Sequence, residues 1–533
     1  MRIVTTAVLV SCFLSSAPAQ NLGFPPSTSI TPLDVYTAFR LPPLRDNGDP
    51  ALNRANLPLQ VIKRAIALKL TADSATDTWK NAAALLKESS PPVSVPAVPI
   101  APQSASELNR ILADPSVSNV KLTSDLVLEA PIDIVRNGIR IDFNFVNVSA
   151  PSGTPWMIRI RNASAIVIAG GRFSNGASGI LVDHSDNIAV ADATFQNLRG
   201  AGIAVTESSR VRLSRNRLSG ISLASVILHR GVTRTIVESN LIQDNAGTSN
   251  LTAGILLTDR EVDITSTPRM LFGPDGYWPR EQPITDRLRP PSDNAVVWNV
   301  VATNHSSGIY SDGGVRNVIS GNTIRGNAKE GLCLDNGSTA NVVAGNTFTQ
   351  NGQRWGQPDD ALAHESVAVW GRLEDGTAAA KLPAISLDNA IYNVVTGNNL
   401  EHNFGGGIKM VRTSYFNAIG LNSLLSNNEG ESAVFHFFGI ELGAAIPDGP
   451  ATDLDFTPSR GNIVFSNLVR GTHYSGVFLA PGSDLNDLFD NTIMDANHWA
   501  LESVEAMNNA TLNNLTNIES VNIASGLAPA GLK

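Results

Sequence analysis

Three aspartates, Asp312, Asp335 and Asp388, each stand four residues after the residue that opens a recurring phrase, Gly308, Gly331 and Ala384. Carboxylates at matching positions of stacked repeats do not all ionise together. One keeps its proton and serves as a donor, while another stays a base. That division of labour is what hydrolysis of a glycosidic bond requires. Two residues after the same openings stand Tyr310, Cys333, Ser386 and, from Gly407, Lys409. Tyr310, Lys409 and the nearby Arg412 would orient sugar hydroxyl or carboxylate groups. The dipeptides Asp312-Gly313, Asp335-Asn336 and Asp388-Asn389 also suit turns, so the aspartates are equally candidates for strand ends.

The phrase itself is the element that must position them. Gly179 and Gly202 are 23 residues apart, as are Gly308 and Gly331. A period in the low twenties is that of a solenoid. Within each unit apolar and polar residues alternate over three or four positions, the pattern of short strands separated by turns. Asparagines recur at a spacing of five, in the sets Asn317/Asn322/Asn327, Asn341/Asn346/Asn351, Asn393/Asn398/Asn403 and Asn417/Asn422/Asn427. Equivalent asparagines are expected to stack along the axis, because this side chain tolerates turn geometry and bonds neighbouring backbone. The fourth position reads Asp183, Thr206, Thr258, Asp312, Asp335, Asp388, Val411, Phe437 and Ala480 along the chain. Coils lie ~4.8 Å apart. Asp312 would thus be one spacing from Asp335 and about two, near ~9.6 Å, from Asp388. Those separations span the ~5–5.5 Å of retaining and the ~6.5–9.5 Å of inverting glycosidases. The long interval between Asp335 and Asp388 then has to contain an excursion of about 30 residues if their coils are neighbours.

These repeats resemble the right-handed parallel β-helix proteins of the pectin-lyase-like superfamily, over roughly residues 115–525. The resemblance implies an all-β, right-handed parallel β-helix solenoid, and it implies no single activity. Hydrolases of the polygalacturonase type share a cluster of aspartates, but their Asn-Thr-Asp, Asp-Asp, Gly-His-Gly and Arg-Ile-Lys signatures are not present as a set. Gly407-Ile408-Lys409 is similar to the last of these. The resemblance also allows a polysaccharide lyase. There Lys409 or Arg412 would remove the proton beside a uronate carboxylate, and the aspartates would hold calcium through oxygen ligands. Asp183-His184 looks like an Asp-His motif of pectate lyases but falls coils away from the other aspartates. A third alternative is a non-catalytic, glycan-binding solenoid. No nucleophile elbow of the Gly-x-Ser-x-Gly kind supports a serine hydrolase, and His436, among aromatic residues, reads as a packed side chain. The expectation is glycosidic-bond cleavage in a polysaccharide or oligosaccharide, by hydrolysis at Asp312, Asp335 and Asp388 and without a cofactor.

The remaining segments fit an exported protein. An apolar stretch from Ile3 to Leu14 precedes Ala17-Pro18-Ala19, a signal-peptide pattern over residues 1–19. Leu9-Val10-Ser11-Cys12 also loosely fits a lipoprotein processing site. A secreted or periplasmic location follows, with a lipid-anchored form as the variant. Residues 20–89 form an N-terminal segment in which 58–88 read as one or two helices, and a proline-rich linker covers 90–103. From 104 to 533 the β-helix is expected, opened by a capped helix at Ser104–Leu112 and broken by insertions near 260–292, 352–383 and 441–460. The first two carry Trp278, Arg354 and Trp355, whose rings and guanidinium suit sugars. Cys12 falls in the signal and leaves Cys333 alone, so no disulfide framework or cysteine metal site is expected. A net charge of −9 argues against nucleic acid and anionic membranes as partners.

Overall fold

The computed structural model describes residues 75–88, 97–151, 154–247, 252–259, 289–353, 382–411, 414–429, 437–447, 454–504, 506, 509–512 and 514–523. They fall into two compact units, residues 81–328 and residues 1–80 with 329–533.

In the unit of residues 81–328 the phrase Gly-Ile-x-x-x builds strands. Ile180–Asp183, Ile203–Thr206, Val226–His229, Ile255–Thr258 and Ile309–Asp312 pair in parallel and in register. Side chains alternate across a strand. Ile180, Ile203, Val226, Ile255 and Ile309 thus stack as one column, and all are fully buried. A second ladder runs through Ser164–Ala169, Asp186–Ala191, Ser209–Ser214, Ile236–Glu238, Ala295–Val297 and Val318–Ser320. A third passes through Arg172–Ser174, Thr194–Gln196, Arg217–Ser219, Leu241–Gln243, Val300–Ala302 and Thr323–Arg325. Each coil gives one strand to each ladder, and the unit is a parallel β-helix. Phe143, Phe173 and Phe195 fill its interior, with centroids 5.2 and 5.0 Å apart.

The unit containing residues 329–533 repeats the plan. Leu332–Asp335, Ile385–Asp388, Ile408–Val411, Ile440–Leu442, Ser475–Leu479 and Trp499–Val504 form one parallel ladder. Two further ladders complete each coil.

The glycine that opens each phrase is required by space. A Cβ at Gly202 would come within 2.6 Å of the Ser225 carbonyl oxygen on the next coil, and one at Gly407 within 2.4 Å of that of Gly439. The asparagines stack as expected. Asn346 Nδ2 donates to Asn398 Oδ1 (2.9 Å), Asn398 to Asn422 (2.9 Å), Asn422 to Asn467 (3.0 Å) and Asn467 to Asn491 (2.9 Å). Each Oδ1 also accepts the preceding asparagine's backbone N–H, as Asn422 Oδ1 does from Asn398. Nδ2 also donates to a backbone carbonyl of the adjacent, preceding coil, as Asn398 does to Val343 at 3.0 Å. An amide fits here because it both donates and accepts.

The cap at Ser104 forms: its hydroxyl accepts from Glu107 N at 3.1 Å, and Glu107 returns a bond to Gln103 N, over the helix Ala105–Ala113. Two boundaries differ from expectation. The proline-rich stretch ends in a strand, Val98–Ile100, paired with Asn119–Leu122, so the solenoid starts earlier than residue 104. Pro99 is tolerated because an outermost strand has one side without a ladder. The insertion expected from 441 starts after Leu442, as an antiparallel hairpin of Ala444–Pro447 and Leu454–Thr457, while Glu441 and Leu442 belong to a coil. Of the helices expected over 58–88, residues 75–87 form one. Residues 58–74 lie outside the described residues.

Candidate active site on the outward strand face

In the unit of residues 81–328 the fourth position of the phrase is a polar column of Asp183, Thr206, His229, Thr258 and Asp312. His229 Nδ1 lies 2.9 Å from Thr206 Oγ1, and Thr258 Oγ1 donates to Asp312 Oδ2 at 3.1 Å. Asp312 is fully buried, and Tyr310, two positions earlier, is buried opposite Leu256. His229 was not foreseen, because its coil opens on Ser225 instead of glycine and was passed over in counting. The alternating Val226-Ile227-Leu228-His229, parallel in type to Ile255-Leu256-Leu257-Thr258, is the signal that would have found it. Asp183 and His184 join in a 2.7 Å contact, and His184 also meets Glu207.

In the unit containing residues 329–533 the coils of Asp335 and Asp388 are neighbours, and residues 354–381 between them lie outside the described residues. Leu332–Leu334 pairs with Ile385–Leu387, and Asn336 N donates to the Asp388 carbonyl at 3.1 Å. Asp335 and Asp388 therefore face each other across neighbouring strands. Both are also strand ends: Asn336 and Asn389, which follow them, have φ of 53° and 51°. The turn and the carboxylate column are compatible uses of one dipeptide. Asp335 Oδ1 accepts the Asn336 N–H at 2.6 Å.

The neighbouring column runs Cys333, Ser386, Lys409, Glu441, Phe478 and Glu502. Lys409 Nζ and Glu441 Oε2 lie 3.1 Å apart with both side chains almost inaccessible. Burial pushes the Glu441 carboxyl above the usual carboxylate range, against the pull of Lys409. Glu502 is raised as well, chiefly by burial, and accepts the Ser475 hydroxyl at 2.6 Å. Glu441 and Glu502 were missed for a reason of register. Phe437 was taken as the successor of Val411, whereas Met410 pairs with Leu442, so the coil opens at Gly439. Gly439-Ile440-Glu441-Leu442 repeats the form of Gly407-Ile408-Lys409-Met410, which is the signal that could have placed it.

Arg412, Trp278, Arg354, Trp355 and His436 lie outside the described residues. Asp312 and Tyr310 are in the first unit, and Asp335, Asp388 and Lys409 in the second. Among the described residues no group of three or more His, Cys, Asp or Glu is placed to hold a metal ion.

A model of the right handed beta helix region matches residues 156–348 and 290–442, together more than half of the chain. The chain belongs to the right-handed β-helix family. Comparison with curated proteins returns no match. Solved structures similar to this β-helix include the mannuronan C-5 epimerase A-module of Azotobacter vinelandii, at 12% identity over 77% of this chain and 93% of that one, with a TM-score of 0.43. The catalytic domain of a GH87 α-1,3-glucanase in complex with nigerose is 10% identical over 81% of this chain and 71% of that one (TM-score 0.46). A DFA-IIIase from Arthrobacter chlorophenolicus is 13% identical over 72% and 93% (TM-score 0.45). These distant structural neighbours of the right-handed β-helix are carbohydrate-active enzymes, and at such identities the likeness is one of fold.

Proposed function

We propose that the protein is an exported enzyme that hydrolyses glycosidic bonds of a polysaccharide or oligosaccharide, with Asp335 and Asp388 as the reacting pair. The observation that carries this reading is the placement of the two carboxylates on adjoining strands, beside the buried Lys409–Glu441 pair. Adjoining strands lie ~4.8 Å apart, close to the carboxyl separation of retaining enzymes. Asp388, as the acid, gives its proton to the leaving oxygen. Asp335, fixed by the Asn336 N–H, attacks the anomeric carbon and forms a glycosyl ester. Water then cleaves the ester, passing its proton to Asp388. Lys409 positions the sugar through the order it imposes on its strand neighbours. Asp312 takes no part in this step. Its side chain is engaged by Thr258.

Export rests on the apolar leader and Ala17-Pro18-Ala19. Among the described residues no helix is long and apolar enough to cross a membrane. The functional test is a polysaccharide panel read for new reducing ends and for the ultraviolet absorbance of unsaturated uronate. Reducing ends without absorbance, lost in Asp335→Asn and Asp388→Asn, support hydrolysis. Both signals together, abolished by chelator and by Lys409→Ala, would make elimination the chemistry. Silence in both channels would leave a glycan-binding role.

A further inference from the structure

Past Lys409 and Glu441 the same strand face changes character. Phe438 stacks on Phe478, with centroids 4.3 Å apart and planes 11° from parallel, and meets Tyr474 edge-on at 6.1 Å. Tyr474 stacks on His498 at 4.2 Å, and His498 meets Trp499 at 6.4 Å. The rings come from three successive coils, because Ser475 pairs with Trp499 and Ile440 with Val477. Phe438, Tyr474 and Trp499 are half-buried and His498 is exposed. Phe478 is buried and Phe438 packs against it, while Tyr474, His498 and Trp499 remain partly or fully accessible.

A carboxyl group stands inside the strip. Glu502 lies opposite Phe478, and its Oε2 accepts from Ser475, the residue after Tyr474. Its Oε1 takes no hydrogen bond among the described residues. Ring faces pack against the C–H faces of a pyranose, and a carboxyl oxygen accepts from its hydroxyls. The surrounding charge then selects among sugars. The outward columns carry Asp335, Asp388, Glu441 and Glu502, and the cation between them, Lys409, is already neutralised by Glu441. A uronate ring would bring a further anion to this surface, where among the described residues of the strip only His498, beside Glu502, could offer it a positive charge.

We propose that Phe438, Tyr474, His498, Trp499 and Glu502 form a binding subsite for uncharged pyranose units of the glycan. The inference rests on the hydrolase reading and narrows its substrate to neutral sugars. A strip that crosses successive coils holds the glycan chain parallel to the axis, so that successive sugars pass from the rings towards Asp388.

The full-length protein, made inactive by Asp388→Asn so that nothing is consumed, is titrated with cellohexaose, laminarihexaose, nigerohexaose and the hexamers of galacturonate and mannuronate. Binding to at least one neutral hexamer is expected, weakened about tenfold by Tyr474→Ala, which removes a stacking face. Glu502→Gln keeps the shape and should weaken the same sugar severalfold, and His498→Ala, at an exposed position, reports without risk to folding. Intact circular dichroism and an unchanged melting temperature in His498→Ala establish that any loss is local. Binding confined to uronate hexamers, binding to none of the five, or neutral binding indifferent to all three substitutions would overturn the subsite. Because binding is read in an inactive background, the subsite stands or falls separately from hydrolysis. An active enzyme with no ring-dependent neutral binding sinks the subsite alone. Ring-dependent binding by a protein inert in both assay channels sinks the hydrolase reading alone.

Discussion

The asparagine ladder and the carboxylate column are built on the same pitch, and their chemistry is opposite. At Asn346, Asn398, Asn422, Asn467 and Asn491 every side chain donates to the next and accepts from the one before. Stacking amides on a ~4.8 Å repeat satisfies each of them, and the ladder can run through any number of coils. Two carboxylates at Asp335 and Asp388 cannot satisfy each other as amides do when both are ionised, so the same repeat places like on like. Residues that a fold must pay to stack are better candidates for chemistry than residues it stacks to hold itself together. The comparison also explains the buried Lys409–Glu441 pair, in which adjoining coils carry opposite charges.

The largest stability effect should come from halving that pair. Lys409→Met leaves Glu441 buried without its cation and is expected to cost ~3–5 kcal/mol at pH 7. Burial holds the Glu441 carboxyl above its unfolded value, so the penalty grows as pH rises through the folded value and fades towards the unfolded one. Urea unfolding should therefore show Lys409→Met recovering towards wild type near pH 5. The double variant Lys409→Met/Glu441→Leu should be less damaged than the single one.

The asparagine ladder has a weak point where it changes residue. Asn427 N donates to His473 Nε2 at 3.0 Å, in the place where other coils offer an asparagine oxygen. Burial depresses His473 to about 3. The unfolded chain takes up the proton first, near ~6.5, so this stability is whole above that pH and is lost on acidification. The loss should reach about 3 kcal/mol at pH 4. His473→Asn restores the amide and should flatten the melting temperature between pH 7 and pH 4. An unchanged acid slope would show that the imidazole is not the sensitive group.

Within the ladder, Asn398→Ala deletes bonds to Val343 and Asn422 and should cost ~1–3 kcal/mol. Asn398→Asp, which writes the carboxylate column's chemistry into the amide one, should cost more at pH 7 than alanine does. Equal melting temperatures for the two would undo the contrast between the columns. The smallest effect is expected at the surface pair Arg215–Asp192, 2.7 Å apart but 59% and 43% exposed. Asp192→Asn should shift stability by no more than ~1 kcal/mol, and by less in high salt.

Much of this was legible in the residues. The five-residue asparagine spacing foretold a ladder because a side chain that is both donor and acceptor has few reasons to recur so regularly. The pairing of Asp335 with Asp388 was legible once the intervening residues were treated as an excursion. His229 and Glu441 were not read, because a coil need not announce itself with glycine at a fixed interval. Ser225 opens one such coil, and residues 412–438 displace the start of another. Glycine marks the places where a Cβ would strike the next coil's carbonyl, as at Gly202 and Gly407. At Ser225 and Ala384 the register holds without the marker, with Ile203 N and Leu332 N donating to their carbonyls at 2.9 and 3.0 Å. The strand at Val98–Ile100 was hidden by prolines, which suggest a linker until an outermost position makes them admissible.

The central claim is that Asp335 and Asp388 form a reacting pair and not merely two strand ends. It is tested most directly by Asp388→Asn, an isosteric change that removes the ionisable proton and keeps a side chain of the same shape at the strand end, while the Asn389 N–H keeps its bond to the Val411 carbonyl. On whichever glycan the panel identifies, single-turnover release of reducing ends should fall at least about a hundredfold. The melting temperature should stay within a few degrees of wild type, and the anomeric configuration released by the wild-type enzyme, followed by proton NMR, should be retained. A variant that keeps its rate while losing stability would make Asp388 a turn residue alone and contradict the account.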